Sequence, residues 1–301
     1  VSRAGLLLDQ GRRTDAAADV ATLLRSSPND PRGHYLKALL AEAEGDTAAT
    51  KAALNNITAL LDPVPIEQLR YRPQALMLGG LAHFGLNEPE KAKPYLEAVQ
   101  RMQPGSGVAK LLAKIYVAEK SNNRAIATLE AYLAVNPRDS QALLLLASAH
   151  MAQGRHARAT QMMQEALRAD DNPSMRTMLG MSLLGAGKFT DSASALEAAY
   201  QKDPGQLQAG VALATLYMQS GQADKAVRIA SNLVKQRPQA AGLQYLLGSA
   251  RARQGRPVQR VCDSRASGGG GFPGLGGMPG LGGGFPGGGR GFPGFPGGRR
   301  R

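Results

Sequence analysis

The chain has 301 residues, with 36 Lys and Arg against 23 Asp and Glu, a single cysteine, no tryptophan and 37 glycines. One cysteine excludes a disulfide framework and a Cys-rich zinc site, and the scattered His34, His83, His150 and His156 lack metal-site spacing, so no metal and no metalloenzyme is expected. The longest apolar run, 142–147, falls far short of the roughly 18 residues of a membrane-spanning helix, and the net charge of +13 is unevenly spread, +8 in residues 251–301 and +5 before them.

Taken in chain order, the sequence alternates helical stretches with turn residues. A short first helix runs up to Gly11, and the turn positions after it are Gly45, Asn87, Lys120, Gly154, Gly187, Gly221 and Gly255, at intervals of 34, 42, 33, 34, 33, 34 and 34. The longest interval carries eight extra residues, read as an inserted loop near 62–72, where Pro63, Pro65 and Pro73 cluster. A second marker runs in phase. Pro28, Pro63, Pro104, Pro137, Pro204 and Pro238 each follow a turn position by 17 or 18 residues and end a helix, because proline lacks an N–H and disfavours helical geometry in the residue before it. Between the markers apolar residues recur at three and four, as in Leu143, Leu146, Ala147 and His150, then Ala159, Met163, Ala166 and Leu167. Each unit therefore reads as helix, turn, helix, connector.

Small residues hold two repeat positions, Ala38, Gly80, Ala113, Ala147, Gly180, Ala214 and Gly248 in one, Ala16, Ala92, Ala125, Ala159, Ser192 and Ala226 in the other, and allow helices to approach closely. Larger residues such as Leu112, Tyr116 and Leu129, or Leu213, Tyr217 and Leu233, fill the space between hairpins. These positions resemble the tetratricopeptide repeat: Leu112-Ala113, Tyr116, Ala125, Leu129 and Pro137 in one unit, Leu179-Gly180, Leu183, Ser192, Leu196 and Pro204 in another, and Leu213-Ala214, Tyr217, Ala226, Ala230 and Pro238 in a third. The tryptophan of that pattern is replaced by Leu76, Ala109, Leu143, Arg176, Gly210 and Gln244. The resemblance covers residues 1–255 and implies an all-α fold, an α-solenoid of about seven hairpins winding into a right-handed superhelix. The first and last repeats look truncated, as in a fragment or an altered reading frame.

A narrower resemblance, to the TPR-repeat lipoproteins of the PEP-CTERM/exosortase system (the PrsT type), is carried by the runs 34–42, 74–84, 179–184 and 196–204. It implies a secreted, envelope-associated scaffold linked to exopolysaccharide and protein sorting, periplasmic or at the outer membrane. The lipid-attachment cysteine of such proteins has no counterpart here, since Cys262 follows Arg260-Val261 instead of an apolar stretch, and residues 1–10 hold no signal peptide.

Residues 256–301 form a Gly/Pro/Arg-rich tail with 18 glycines between 268 and 298, Phe-Pro-Gly at Phe272, Phe285 and Phe292, and a terminal Arg299-Arg300-Arg301. Such a composition buries too little apolar surface to offset chain entropy, so disorder is expected. Nucleic-acid binding by the tail is disfavoured, because its few arginines are not interleaved with its aromatic residues.

No catalytic motif emerges. The run 185–189 approaches a phosphate loop, but Ser182 stands where a glycine is needed and Phe189 where Ser or Thr is needed. His150 and His156 fall on different helices of one hairpin, and His150 occupies the packing position of Tyr116 and Tyr217. Neither an enzymatic activity nor a cofactor is expected.

Binding remains. In tetratricopeptide arrays the first helix of each hairpin lines the concave face, which implies a peptide-binding surface of Met77, Leu81, Lys110, Lys114, Leu144, Ser148, Met151, Thr177, Met181, Val211, Thr215 and Met218. Its methionines, with Met178 beside them, suit an extended or helical peptide, and Lys110 with Lys114 an acidic segment or a C-terminal carboxylate. The alternatives are core packing for the methionines and a solvated face for the lysines. Three functions follow: a non-enzymatic scaffold with protein or peptide partners, a regulatory module from a larger enzyme such as a glycosyltransferase, and nucleic-acid or anionic-lipid binding by the tail.

Overall fold

The computed structural model describes residues 2–255. The expected disorder of the tail, Cys262 and the tail's arginines and phenylalanines lie outside the described residues. The described chain is all helical and divides into two compact units at 145/146. The first holds α1 (Ser2–Asp9), α2 (Arg13–Ser26), α3 (Pro31–Glu44), α4 (Thr47–Leu61), α5 (Ile66–Leu69), α6 (Pro73–Gly85), α7 (Pro89–Met102), α8 (Val108–Ala118), α9 (Asn122–Val135) and the start of α10 (Ser140–Ala152). The second holds the rest of α10, then α11 (His156–Ala169), α12 (Pro173–Gly185), α13 (Phe189–Lys202), α14 (Leu207–Gln219), α15 (Ala223–Gln236) and α16 (Ala241–Gln254).

The turns explain why consecutive helices pair. Among the described residues Gly11, Gly45, Asn87, Lys120, Gly154, Gly187 and Gly221 have positive φ, from 59° at Lys120 to 78° at Gly45. The residue after each one donates its N–H to the carbonyl five positions back, as Asp46 does to Ala41 (2.9 Å), Ser121 to Tyr116 (2.7 Å) and Gln222 to Tyr217 (2.8 Å). This left-handed cap satisfies carbonyls that a helix end would otherwise leave orphaned, and folds the chain back on itself. Gly255, read as an eighth such turn, has φ −79° instead.

The connector prolines lie two residues beyond the ends of α2, α4, α7, α9, α13 and α15. At the end of α11 the matching residue is Asp171, which uses its carboxylate where the others use a ring: it pairs with Arg176 on α12 and with Lys202 on α13. The insertion at 62–72 is not wholly a loop, since Ile66–Leu69 closes one helical turn and buries Leu69. Its start is held by His83, a buried residue of α6 whose Nε2 lies 2.9 Å from Asp62 Oδ1 and whose Nδ1 lies 2.8 Å from Glu88 Oε2. Tyr95 on α7 donates to the same Asp62 oxygen at 3.2 Å.

Packing within hairpins depends on the small positions. A Cβ on Gly180 would lie 2.6 Å from Leu196 Cγ on the partner helix, and one on Gly80 would collide with Leu96 in the same way. Ala16, Ala92, Ala125, Ala159, Ser192 and Ala226 are all fully buried, and the Ser192 hydroxyl donates to the Gly180 carbonyl at 2.7 Å. Leu96, Leu129, Leu196 and Leu233 lie opposite as buried leucines, each stabilising the fold by about 2 kcal/mol through area removed from water.

Candidate peptide-binding face

The residues expected to line the face lie on α6, α8, α10, α12 and α14, the first helices of their hairpins. Counted from the small position, the residues three before, one after and four after it fall on one side of an α-helix.

In the first unit the stripe runs over α6, α8 and the start of α10. Met77, Lys110, Lys114 and Leu144 are partly exposed, whereas Leu81, at 4% exposure, belongs to the core. The two lysines differ in what they can do. Lys110 Nζ donates to Asp139 Oδ2 at 2.8 Å and lies 5.7 Å from the ring centroid of Tyr132, whose hydroxyl donates to the same oxygen at 2.7 Å. Asp139 also accepts the Ala142 N–H at 3.0 Å and so caps α10. Burial raises the Asp139 carboxyl, but the donors from Lys110, Tyr132 and Ala142 outweigh it and hold the group below the ordinary carboxylate range. Lys110 is thus committed to the fold. Lys114, half-buried, has no ion pair or hydrogen bond among the described residues, and desolvation, then repulsion from Lys110, lowers its pKa. An anion beside Lys114 would relieve both effects.

In the second unit the stripe runs over the end of α10, α12 and α14. Ser148, Met151, Met181, Thr215 and Met218 are partly exposed. Thr177 at 2% and Val211 at 8% exposure are core residues, as is Met178. The Thr177 hydroxyl is consumed within the protein: it donates to the Pro173 carbonyl at 3.0 Å and meets Gln206, which in turn donates to Ser174 Oγ at 2.9 Å. The second-unit stripe is therefore apolar and hydroxylic, without a charged member.

Leu39, Phe84 and Val117 are partly exposed at the same registers of α3, α6 and α8 but were absent from the expected set. Counting from Ala38, Gly80 and Ala113, as was done for the rest, would have found them. On the other side of these helices Tyr116 donates to Glu97 Oε1 at 2.8 Å with the Arg124 guanidinium 4.3 Å above its ring, and Tyr217 repeats the arrangement with Glu197 and Lys225. Burial and the adjoining glutamate push the Tyr116 hydroxyl up to about 12. These tyrosines tie neighbouring hairpins and are not part of the face. His150 is buried, consistent with a packing residue.

Among the described residues no helix is long and apolar enough to cross a membrane, and no three His, Cys, Asp or Glu gather as a metal site.

The repeat register, the left-handed turns and the paired helices define a tetratricopeptide-repeat array. Family comparison agrees: one tetratricopeptide-repeat profile matches residues 83–142, 116–181 and 183–250, and a second matches 2–49, so the chain belongs to the tetratricopeptide-repeat family. Proteins of this family are usually non-catalytic and bind other proteins or peptides. No curated protein has a matching sequence. Among solved structures, a tetratricopeptide-repeat protein from Parabacteroides merdae is similar with a TM-score of 0.60 at 14% identity, over 83% of this chain and 97% of that one. The type IV pilus biogenesis factor PilW aligns with a TM-score of 0.57 at 14% identity, over 69% and 94% of the two chains. A thermophilic TPR protein of Thermus thermophilus aligns with a TM-score of 0.52 at 19% identity, over 60% and 99%. At these identities the likeness is one of fold.

Proposed function

We propose that the chain is a non-enzymatic scaffold that holds protein partners on the first-helix faces of its repeats, in bacterial envelope assembly linked to exopolysaccharide and protein sorting. The observation that carries the binding role is the set of partly exposed stripe residues: adaptable methionines in the second unit, and in the first a desolvated Lys114, unpaired among the described residues, that favours a carboxylate-bearing partner. The envelope role rests on the sequence runs at 34–42, 74–84, 179–184 and 196–204, and carries with it a periplasmic or outer-membrane location.

The test is affinity capture from a lysate of the source organism by the intact chain and by two variants, Lys114→Glu and Met181→Glu. Lys110 is left alone because its removal would also strip Asp139 of a partner. Envelope export or sorting proteins retained by the wild type and released by either variant are the expected result. Equal retention by all three proteins would refute the face as the binding site, and recovery of the native protein from the cytoplasmic fraction would refute the envelope role.

A further inference from the structure

The break in the repeat register, the insertion before α6, borders a cleft. Within the first unit, the connector between α2 and α3 and the end of the insertion before α6 enclose an open cleft of about 820 Å³, whose walls include Pro28, Asp30, Arg32, Tyr71, Arg72 and Pro73. None of these residues is on the first-helix stripe.

Three features of the cleft point to one kind of occupant. Tyr71 is 76% exposed, an unfavourable place for a large aromatic ring, yet it is held in position: the Arg70 guanidinium lies 4.6 Å from its centroid and donates to its hydroxyl at 2.6 Å. Charge is the second feature. Arg32 is neutralised by a two-point contact with Asp30, at 3.0 and 2.7 Å, while Arg72 has no ion pair among the described residues, and Asp30 is the only acidic group in the lining. Third, the two helices that start at the cleft are finished differently. Asp30 caps α3 by accepting the Arg32 N–H at 2.9 Å, but α6 begins after Arg72 with no side-chain cap and no acidic residue in its first turn. Beside Arg72, that helix start lacks the negative group it would favour.

We propose that this cleft is a second docking site, independent of the first-helix faces, and that it takes an acidic peptide segment, with a carboxylate between Arg72 and the start of α6 and the peptide backbone against Tyr71 and the prolines. The charge complementarity selects acidic over neutral peptides, and the Tyr71 ring gives contact area at a low ordering cost.

The test uses the full chain and a fluorescein-labelled Glu-Pro decapeptide, with the Gln-Pro decapeptide as its neutral counterpart, followed by anisotropy at low salt. The acidic peptide is expected to bind roughly tenfold more tightly than the neutral one, as a charge-assisted contact implies. Arg72→Gln and Arg72→Glu should each remove most of that preference, and Tyr71→Ala should weaken both peptides. Lys235→Glu should leave binding within about twofold, since this exposed lysine of α15 lies neither in the cleft nor on a first-helix face. Both cleft side chains are exposed, so unchanged thermal melts accompany these results. Equal binding of the two peptides by the wild type, or loss of acidic-peptide binding in Lys114→Glu with Arg72→Glu unaffected, overturns the proposal.

Discussion

Gly180 and Gly248 occupy the same repeat position, and the structure predicts opposite signs for the same substitution. Alanine in place of an interior helical glycine gains about 1 kcal/mol from backbone entropy alone. At Gly248 no described residue lies within 4 Å of the new Cβ, so Gly248→Ala should realise up to that gain. At Gly180 the Cβ would meet Leu196 at Cγ (2.6 Å), Cδ2 (2.8 Å) and the backbone nitrogen (3.3 Å). The nearest atom is a branch point close to the α13 backbone, and Leu196 is fully buried, so it cannot swing away. Overpacking of that kind costs about 2–3 kcal/mol, leaving Gly180→Ala net destabilising by about 1–2 kcal/mol. A double-mutant cycle isolates the cause. Leu196→Ala alone should cost about 2–5 kcal/mol, but in its background Gly180→Ala should become stabilising by about 1 kcal/mol, a coupling of about 2–3 kcal/mol. The assay is urea denaturation followed by far-UV circular dichroism, with hydrogen exchange of α12 and α13 amides locating the effect, because a repeat array need not unfold as one unit. The reasoning is refuted if Gly180→Ala stabilises the protein, or if it destabilises equally with and without the Leu196 side chain.

Two further predictions concern single positions. Lys120 holds a left-handed conformation (φ 59°) that costs a side-chain-bearing residue about 1 kcal/mol, so Lys120→Gly should raise the melting temperature by about 2–4 °C; Gly187→Ala, at φ 75°, should lower it similarly. Hydrogen bonds from Arg176 and then Lys202 hold the Asp171 carboxyl at about 2, below its ordinary 3.8. A depressed carboxylate contributes stability that is complete above the unfolded value and lost as pH falls through the folded one, so the difference in melting temperature between wild type and Asp171→Asn should be constant above about pH 5 and vanish toward pH 2. A difference that grows on acidification would contradict this pairing.

How legible the face was in the sequence varied along it. Seven turn positions could be read because a left-handed cap admits few residue types at low cost, and the two without glycine, Asn87 and Lys120, were found by period alone. The register of the stripe was equally visible, since it follows from helical geometry once one small residue per repeat is located. Which members of the stripe stay accessible was not. Leu81, Thr177 and Val211 share registers with Lys114, Lys110 and Met77, yet neighbouring side chains cover the first three and leave the others partly open. The insertion was visible as eight surplus residues, but its single helical turn, its anchoring to His83 and the cleft at its end were not, because Asp62, His83 and Tyr95 come together only once α6 and α7 have packed.

The sequence by itself determined the repeat, its period, the turns and the face each helix offers, because these depend on interactions among residues within about one turn or one hairpin of each other. The tertiary structure decided which side chains are available to a partner. Lys110 and Lys114 lie four residues apart on the same helix and look equivalent in the sequence. Asp139, 29 residues beyond Lys110, neutralises that lysine, while Lys114 has no charged partner among the described residues. The burial and charge pairing that separate these two lysines are set by neighbours distant in the chain, and no local pattern encodes them.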